Sequence, residues 1–217
     1  MKILAIIPLR KDSQRIKNKN ILRIKNKPMF RHASDEAVKC KYISKVFIAT
    51  DIDKIKLPTS RKIQVFKRSK ISASKIAPTE VVIKEFLTKY ECDYCILIQA
   101  TNLFLTSNDL DSAIKKILNK KNSYDSLLSV VESKYLIWKR IKNKIVSYNY
   151  NYKKRPRSQD IKSKEYIENG SFYIFSRKNF LKYTNRLHGN IGLHVMKKNS
   201  IFEIDEKEDL EIVKRLY

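Results

Sequence analysis

The chain has 217 residues, 42% of them hydrophobic, which suffices for a core of ordinary domain size, and it carries 47 lysines and arginines against 22 acidic residues for a net charge of +25. Its first apolar run is too short to cross a bilayer and no small-residue cleavage site follows it, so neither a signal peptide nor an anchor is expected, and the cytoplasm is the expected location. Three cysteines, Cys40, Cys92 and Cys95, cannot build a disulfide framework, and the Cys-x-x-Cys pair lacks the second pair or nearby histidine of a zinc site. Its place at the entrance of an apolar run points to packing. Lysines occur almost everywhere, without an aromatic-interleaved RNP pattern, zinc-finger spacing or a recognition helix, so a solvated basic coat is expected rather than a specific nucleic-acid site.

Residues 3 to 8 form a short apolar run that feeds directly into a loop, Leu9 to Asn20, crowded with guanidinium, ammonium, hydroxyl and amide groups. Further short runs at 46 to 50, 63 to 66 and 94 to 99 read as strands, three of the four without polar alternation, as expected of central parallel strands covered on both faces. Between them, Pro78 to Tyr90 predicts a helix with proline at its first position and Val82, Ile83, Phe86, Leu87 and Tyr90 on one stripe. Thr106 to Asp109 resembles a capping box ahead of Leu110, Ala113, Ile114, Ile117 and Leu118. This βαβα order implies a doubly wound, mostly parallel α/β sheet whose ligand crevice lies beyond the carboxyl ends of the strands.

After about residue 132 the rhythm breaks. Residues 134 to 164 are rich in Tyr, Lys, Arg and Asn, with hairpin-like runs at Tyr135 to Ile141 and Ile145 to Tyr148, and read as an excursion from a single domain spanning 1 to 217. The main body then resumes with a strand at Ser171 to Phe175, a helix at Arg177 to Tyr183, a run at Leu193 to Met196, a strand at Ile201 to Asp205 and a helix at Glu206 to Leu216.

The opening loop follows the first strand, where phosphates commonly bind, yet it contains no glycine and matches neither the P-loop nor the dinucleotide fingerprint. Side chains must therefore do the holding: Arg10 as a fork on phosphate oxygens, Lys19 as a point charge, Ser13 and Asn20 as hydrogen-bonding partners for a phosphate or sugar. A solvated basic loop is the alternative. Near the other end, Glu203 and Asp205 on a strand would face the same side, and two carboxylates beside a triphosphate are the usual setting for Mg²⁺. The competing reading makes Asp205 the cap of the last helix, with Glu208 completing a capping box.

These residues together resemble the acylneuraminate cytidylyltransferase family, which activates sialic, legionaminic and pseudaminic acids. The family's opening motif, approximately Pro-Ala-Arg-x-Gly-Ser-Lys-Arg-Ile-Pro-Gly-Lys-Asn, is matched by Pro8 through Asn20, with Arg10, Ser13, Arg15, Ile16, Lys19 and Asn20 retained. Ala49-Thr50-Asp51, Arg68, Ala77-Pro78-Thr79, Gln99-Ala100-Thr101, Arg155 to Asp160, Glu168 to Tyr173 and Ser200 to Asp209 follow in the family's order. The resemblance implies a Rossmann-like nucleotidyltransferase fold and a Mg²⁺-dependent reaction in which the anomeric hydroxyl of a nonulosonic acid attacks the α-phosphate of CTP. By the same resemblance Arg10 and Lys19 hold the phosphates and Asn20 the ribose, Arg68 and Thr79 meet cytidine, Gln99 faces the sugar acid and Arg157 lies near its carboxylate. Glu203 and Asp205 would ligate Mg²⁺, and the excursion would contribute to a homodimer.

The chain departs from the family pattern at Asp12 and Asn18, which replace glycines, at Gln14, at Lys75, and along Ala100 to Leu105, where two prolines and an arginine are lost. An octulosonic acid as acceptor, or a degenerate polyanion-binding protein, are the alternative readings.

Overall fold

The computed structural model describes residues 1–11, 15–161 and 165–217. β1 (Ile3–Leu9) leads through the opening loop to a small ladder of β2 (Arg23–Ile24) and β3 (Lys27–Pro28), then to α1 (Met29–Lys39), β4 (Lys45–Thr50) and β5 (Ile63–Lys67). The short α2 (Lys70–Ala73), α3 (Thr79–Lys89), β6 (Tyr94–Ile98), α4 (Ser107–Leu118) and β7 (Ser126–Ser133) follow. The excursion holds β8 (Trp138–Ile141) and β9 (Lys144–Ser147); the chain returns as β10 (Glu165–Ser176), α5 (Arg177–Tyr183), β11 (Ile191–Val195) and α6 (Lys207–Leu216).

Seven strands pair in one sheet in the order β11-β7-β10-β6-β1-β4-β5. β10 runs antiparallel to β6 and β7, and every other pairing in that sheet is parallel. The strand period of two divides β1 between two cores. Ile3, Ala5, Ile7 and Leu9 pack with Phe30, Ala33 and Ala37 of α1 and with Leu110, Ala113 and Ile114 of α4. Leu4 and Ile6 pack with Val82, Ile83, Phe86 and Leu87 of α3 and Phe180 of α5. Both faces of the sheet are thus covered, which is why its central strands read as unbroken apolar runs.

The predicted elements are recovered with small shifts. Pro78 takes the N-cap position of α3 rather than its first turn. Thr106 and Asp109 close a reciprocal capping box on α4, the hydroxyl accepting from Asp109 N at 3.2 Å and the carboxylate from Thr106 N at 3.1 Å. The excursion carries the expected hairpin, β8 pairing with β9.

One predicted strand is absent. Ile201 to Asp205 is not a strand: a 3-10 turn covers Lys198–Ile201, and the following residues make a single backbone bond to the sheet side, Ile204 N to Thr101 O at 3.0 Å. Side chains take the place of a ladder there. The buried Asn102 amide donates to Ser200 O at 2.7 Å and to Asn169 O at 3.0 Å, and Asn169 Nδ2 donates to Ser200 Oγ at 2.9 Å. A third cluster, Ile16, Ile24, Met29, Leu103, Ile204 and Val213, holds the opening loop, the turn after β6 and the C-terminal segment together. No helix among the described residues is long and apolar enough to cross a membrane.

Asn102→Ala should destabilise the protein severely, because each buried carbonyl it abandons costs about 1–3 kcal/mol; urea unfolding at equilibrium measures this, and a loss below about 1 kcal/mol would contradict the clasp. His32 provides a second check. Burial lowers its pKa from the ordinary 6.5, with its ring held between Ile24 O at 3.1 Å and Tyr217 Oη at 2.9 Å. The unfolded chain takes up this proton at a higher pH than the native state does, so stability falls as pH drops below about 6.5. Thermal melts between about pH 7.5 and about pH 5.5 should show a larger loss for the wild type than for His32→Gln.

Candidate active site

A cleft of about 340 Å³ opens beyond the carboxyl ends of β1, β5 and β6. Its lining includes Arg10, Lys19, Asn20, Arg68, Thr79, Gln99, Glu203 and Asp205, so eight of the ten residues selected from sequence converge there. Ser13 lies outside the described residues, as do Asp12 and Gln14. Arg157 sits elsewhere: its side chain is 74% exposed and bound to Asp160 at 2.6 and 3.2 Å, within the excursion.

The opening loop is shaped by its own polar groups. Asn18 adopts a left-handed backbone, φ 56°, ahead of a 3-10 turn at Lys19–Ile21, so the asparagine that replaces a family glycine keeps the turn. Asn20 Nδ2 donates to Arg10 O at 3.1 Å and folds the loop back on its start. Arg10 Nη1 donates to Ser74 O at 3.1 Å and Lys75 O at 2.9 Å, so the guanidinium spans from β1 to the segment after α2. Lys75 is engaged through its carbonyl, which its side chain does not alter.

The acid pair reaches the cleft without the predicted strand. Ile204 is fully buried and points into the third cluster, which turns the residues on either side of it toward the cleft. Asp205 does not cap the last helix. Glu206 holds the N-cap position and forms the capping box with Asp209, and Glu208 takes no part. Asp205 instead accepts from Lys19 Nζ at 2.9 Å and faces Arg15 Nη1 at 3.3 Å. Lys19 Nζ also donates to Ile204 O at 2.9 Å.

Burial disfavours the charged form of two groups in the cleft. Burial, and then the neighbouring Asp205 charge, push the Glu203 carboxyl above its usual range, against a 3.4 Å hydrogen bond from Thr101 Oγ1 that favours the anion. Burial likewise pushes Arg68 down, partly offset by Asp51, while its Nε is buried with no hydrogen-bond partner. Arg68 Nη2 donates to Ser72 O. Such an unspent donor in a cleft wall is suited to an acceptor atom brought by a ligand.

Sequence reasoning assigned no role to Arg15, Thr101 and Gly170. Gly170 lies in the bulge of β10 with φ +60°, and a Cβ there would fall 2.5 Å from Glu203 Oε2, so only glycine admits the carboxylate. Its rarity was the available signal, since the whole chain has three glycines. No thiol lines the cleft: burial pushes Cys40 and Cys92 up to about 11 and holds Cys95 well above its ordinary value.

The family model described as Cytidylyltransferase matches residues 4–217. The chain belongs to the cytidylyltransferase family. The resemblance read from the opening motif is thereby borne out, and curated relatives bear it out further. A pseudaminic acid cytidylyltransferase of Campylobacter jejuni subsp. jejuni serotype O:23/36 is 26% identical over 228 residues, covering 100% of this chain and 97% of the relative. An N-acylneuraminate cytidylyltransferase of Escherichia coli O18:K1:H7 is 27% identical over 218 residues, 97% of this chain and 51% of the relative. In fold, the chain is similar to a CMP:2-keto-3-deoxy-manno-octonic acid synthetase complexed with CTP, with a TM-score of 0.69 at 16% identity, covering 100% of this chain and 98% of that one. Within this cytidylyltransferase the family's fourth-strand prolines and arginine give way to core residues, Leu103 in the third cluster and Leu105 beneath β1.

Glu203→Gln removes a charge that burial and Asp205 disfavour, so in buffer free of divalent cations it should raise the melting temperature. A lower melting temperature would contradict the assignment of strain to that carboxylate.

Proposed function

We propose that this cytidylyltransferase joins CTP to a nonulosonic acid of the pseudaminic or sialic type, giving the CMP-activated acid and pyrophosphate. The observation that carries the reading is a single cleft with a cationic wall of Arg10, Arg15 and Lys19 facing the acid pair Glu203 and Asp205, in a chain aligned from end to end with a pseudaminic acid cytidylyltransferase. The acceptor's anomeric hydroxyl oxygen attacks the α-phosphorus and gives up its proton to solvent. The bond from that phosphorus to the bridging oxygen breaks, and pyrophosphate leaves with the electron pair.

The chain's contribution to this reaction is position and charge. Arg10 and Lys19 receive the phosphates, and Asn20 the ribose. Arg68, with its buried unpartnered Nε, and Thr79 at the start of α3 meet cytidine. Gln99 is fixed by its backbone N–H, which donates to Ser171 O at 2.9 Å, and faces the acid. Lys19 is bound to Asp205 before substrate arrives, so a triphosphate would take over a cation already in place rather than order a free one.

The donor set suits Mg²⁺ in a particular way. No group of three or more metal-ligating side chains occurs among the described residues, and two carboxylates beside a triphosphate site leave the remaining positions to phosphate oxygens and water, the usual arrangement for this ion. Glu203 and Asp205 would hold it, and when bound it would neutralise charge building on the α-phosphate and the leaving pyrophosphate. The hairpin of the excursion exposes Trp138, Ile141 and Ile145, the surface through which two copies would pair as the resemblance implies. Free thiols, those of Cys40 and Cys95 buried, suit a reducing compartment such as the cytoplasm.

Purified protein incubated with CTP, Mg²⁺ and a panel of pseudaminic, legionaminic, sialic and octulosonic acids should release pyrophosphate with a nonulosonic acid. Preference for the octulosonic acid would reassign the acceptor, and silence from folded protein with every acid would overturn the reading. Asp205→Asn should lower turnover by about 100-fold, the scale for one electrostatic element of a transition-state site, with the fold retained. Near-normal turnover would remove Asp205 from the reaction.

A further inference from the structure

The two carboxylate oxygens of Asp205 face different cations, and the two contacts are unlike. Oδ1 accepts from Lys19 Nζ at 2.9 Å, and the same ammonium donates to Ile204 O at 2.9 Å. The Lys19 side chain is only 13% exposed. Oδ2 faces Arg15 Nη1 at 3.3 Å, and that nitrogen also lies 3.8 Å from Glu206 Oε1. Neither Arg15 contact has hydrogen-bond geometry, and its side chain, 58% exposed, makes no hydrogen bond to any other described residue.

That contrast ranks the two cations by how readily each can leave. Withdrawing Lys19 would break two charge-assisted contacts and strip a buried stem from the cluster beneath it. Withdrawing Arg15 would return a hydrated guanidinium to water, and an exposed ion pair of this kind contributes little to stability. Glu206 is a poor alternative anchor, because its carboxylate already accepts from Asp209 N in the capping box of α6.

Arg15, Lys19, Glu203 and Asp205 all line the cleft. A carboxylate takes a divalent cation through an oxygen lone pair. With Lys19 fixed on Oδ1, Oδ2 is the oxygen that such an ion must share with Arg15 or take from it. Two positive charges on one carboxylate oxygen repel, so the loosely held guanidinium is the one that yields. The triphosphate proposed for the same cleft would offer that guanidinium another anion.

We propose that Arg15 is an exchangeable counterion of Asp205: it neutralises the carboxylate until the triphosphate draws it away, and so keeps a divalent cation from binding tightly before the nucleotide does. This inference rests on the assignment of Glu203 and Asp205 as the metal-binding pair. It makes Arg15 a residue that couples two ligands, with opposite effects on each.

Equilibrium binding of each ligand alone tests it, in the wild type, R15Q, R15K, K11Q and D205N at low ionic strength. Mn²⁺ without nucleotide, followed by the electron-spin signal of the free ion, should bind R15Q about 3- to 10-fold more tightly than the wild type. CTP in EDTA should bind R15Q more weakly by a similar factor, and R15K, which keeps the charge, should stay near the wild type for both ligands. Lys11 is an exposed cation on the same loop that does not line the cleft, so K11Q should leave the Mn²⁺ affinity within about 2-fold. Unchanged Mn²⁺ affinity in R15Q, with binding lost in D205N, overturns the role of Arg15 and leaves the acid pair standing. Unchanged CTP affinity in R15Q, or equal tightening of Mn²⁺ by K11Q, overturns it as well. Weaker binding of both ligands with a lowered melting temperature in R15Q identifies a tether between the opening loop and α6 and overturns the exchange. Full Mn²⁺ affinity in D205N, or no uptake by the wild type and R15Q, overturns the metal assignment and this inference with it.

Discussion

The contact between Lys19 and Asp205 joins positions 186 residues apart and sets the geometry on which the cleft depends. It is not an isolated surface pair. The Lys19 side chain is only 13% exposed, its ammonium is shared with Ile204 O, and both partners stand over the apolar cluster that includes Ile16 and Ile204. Burying Ile16 and Ile204 together brings the opening loop and the C-terminal segment into register. The ion pair then has little conformational entropy left to lose, which distinguishes it from an exposed pair of long side chains.

Around that contact the cleft stores opposed charges that the fold satisfies incompletely. Glu203 is buried beside the like charge of Asp205, Arg68 is desolvated with one donor unspent, and Gly170 leaves the space that Glu203 fills. A stable core would avoid each of these arrangements. Their concentration in one crevice, beyond the carboxyl ends of parallel strands, is the physical mark of a site prepared for a highly charged ligand. Under the proposed function, a nucleoside triphosphate would supply what each group lacks: anionic oxygens for the cations and polar base atoms for Arg68.

The net charge of +25 belongs mostly to another layer of the molecule. Within the cleft, cations and carboxylates are interleaved and paired, whereas the excursion combines exposed Lys139, Arg140, Lys142 and Lys144 with exposed Trp138 and Ile145. The lysine coat therefore says little about the chemistry of the cleft. At low salt it would attract polyanions in general, while the cleft discriminates by the placement of a few side chains.

Much was legible in the sequence because it rested on local physics. Unbroken apolar runs gave the parallel strands, Thr106 and Asp109 marked the start of α4, and the density of polar groups from Arg10 to Asn20 marked a loop that lines the cleft. Pattern also drew Glu203 and Asp205 toward one site, although the strand that was to align them is absent: a buried Ile204 and the Asn102 clasp orient them instead. Arg157 lies away from the cleft. A sequence shows that an arginine exists, but whether its donors are spent on Asp160, as at Arg157, or one is left open, as at Arg68, depends on which segments fold beside it. Composition and periodicity determined the sheet, its helices and the kinds of residue in the loop. Only tertiary packing, which burial of apolar side chains far apart in the chain enforces, decided which charges meet and which remain free for a ligand.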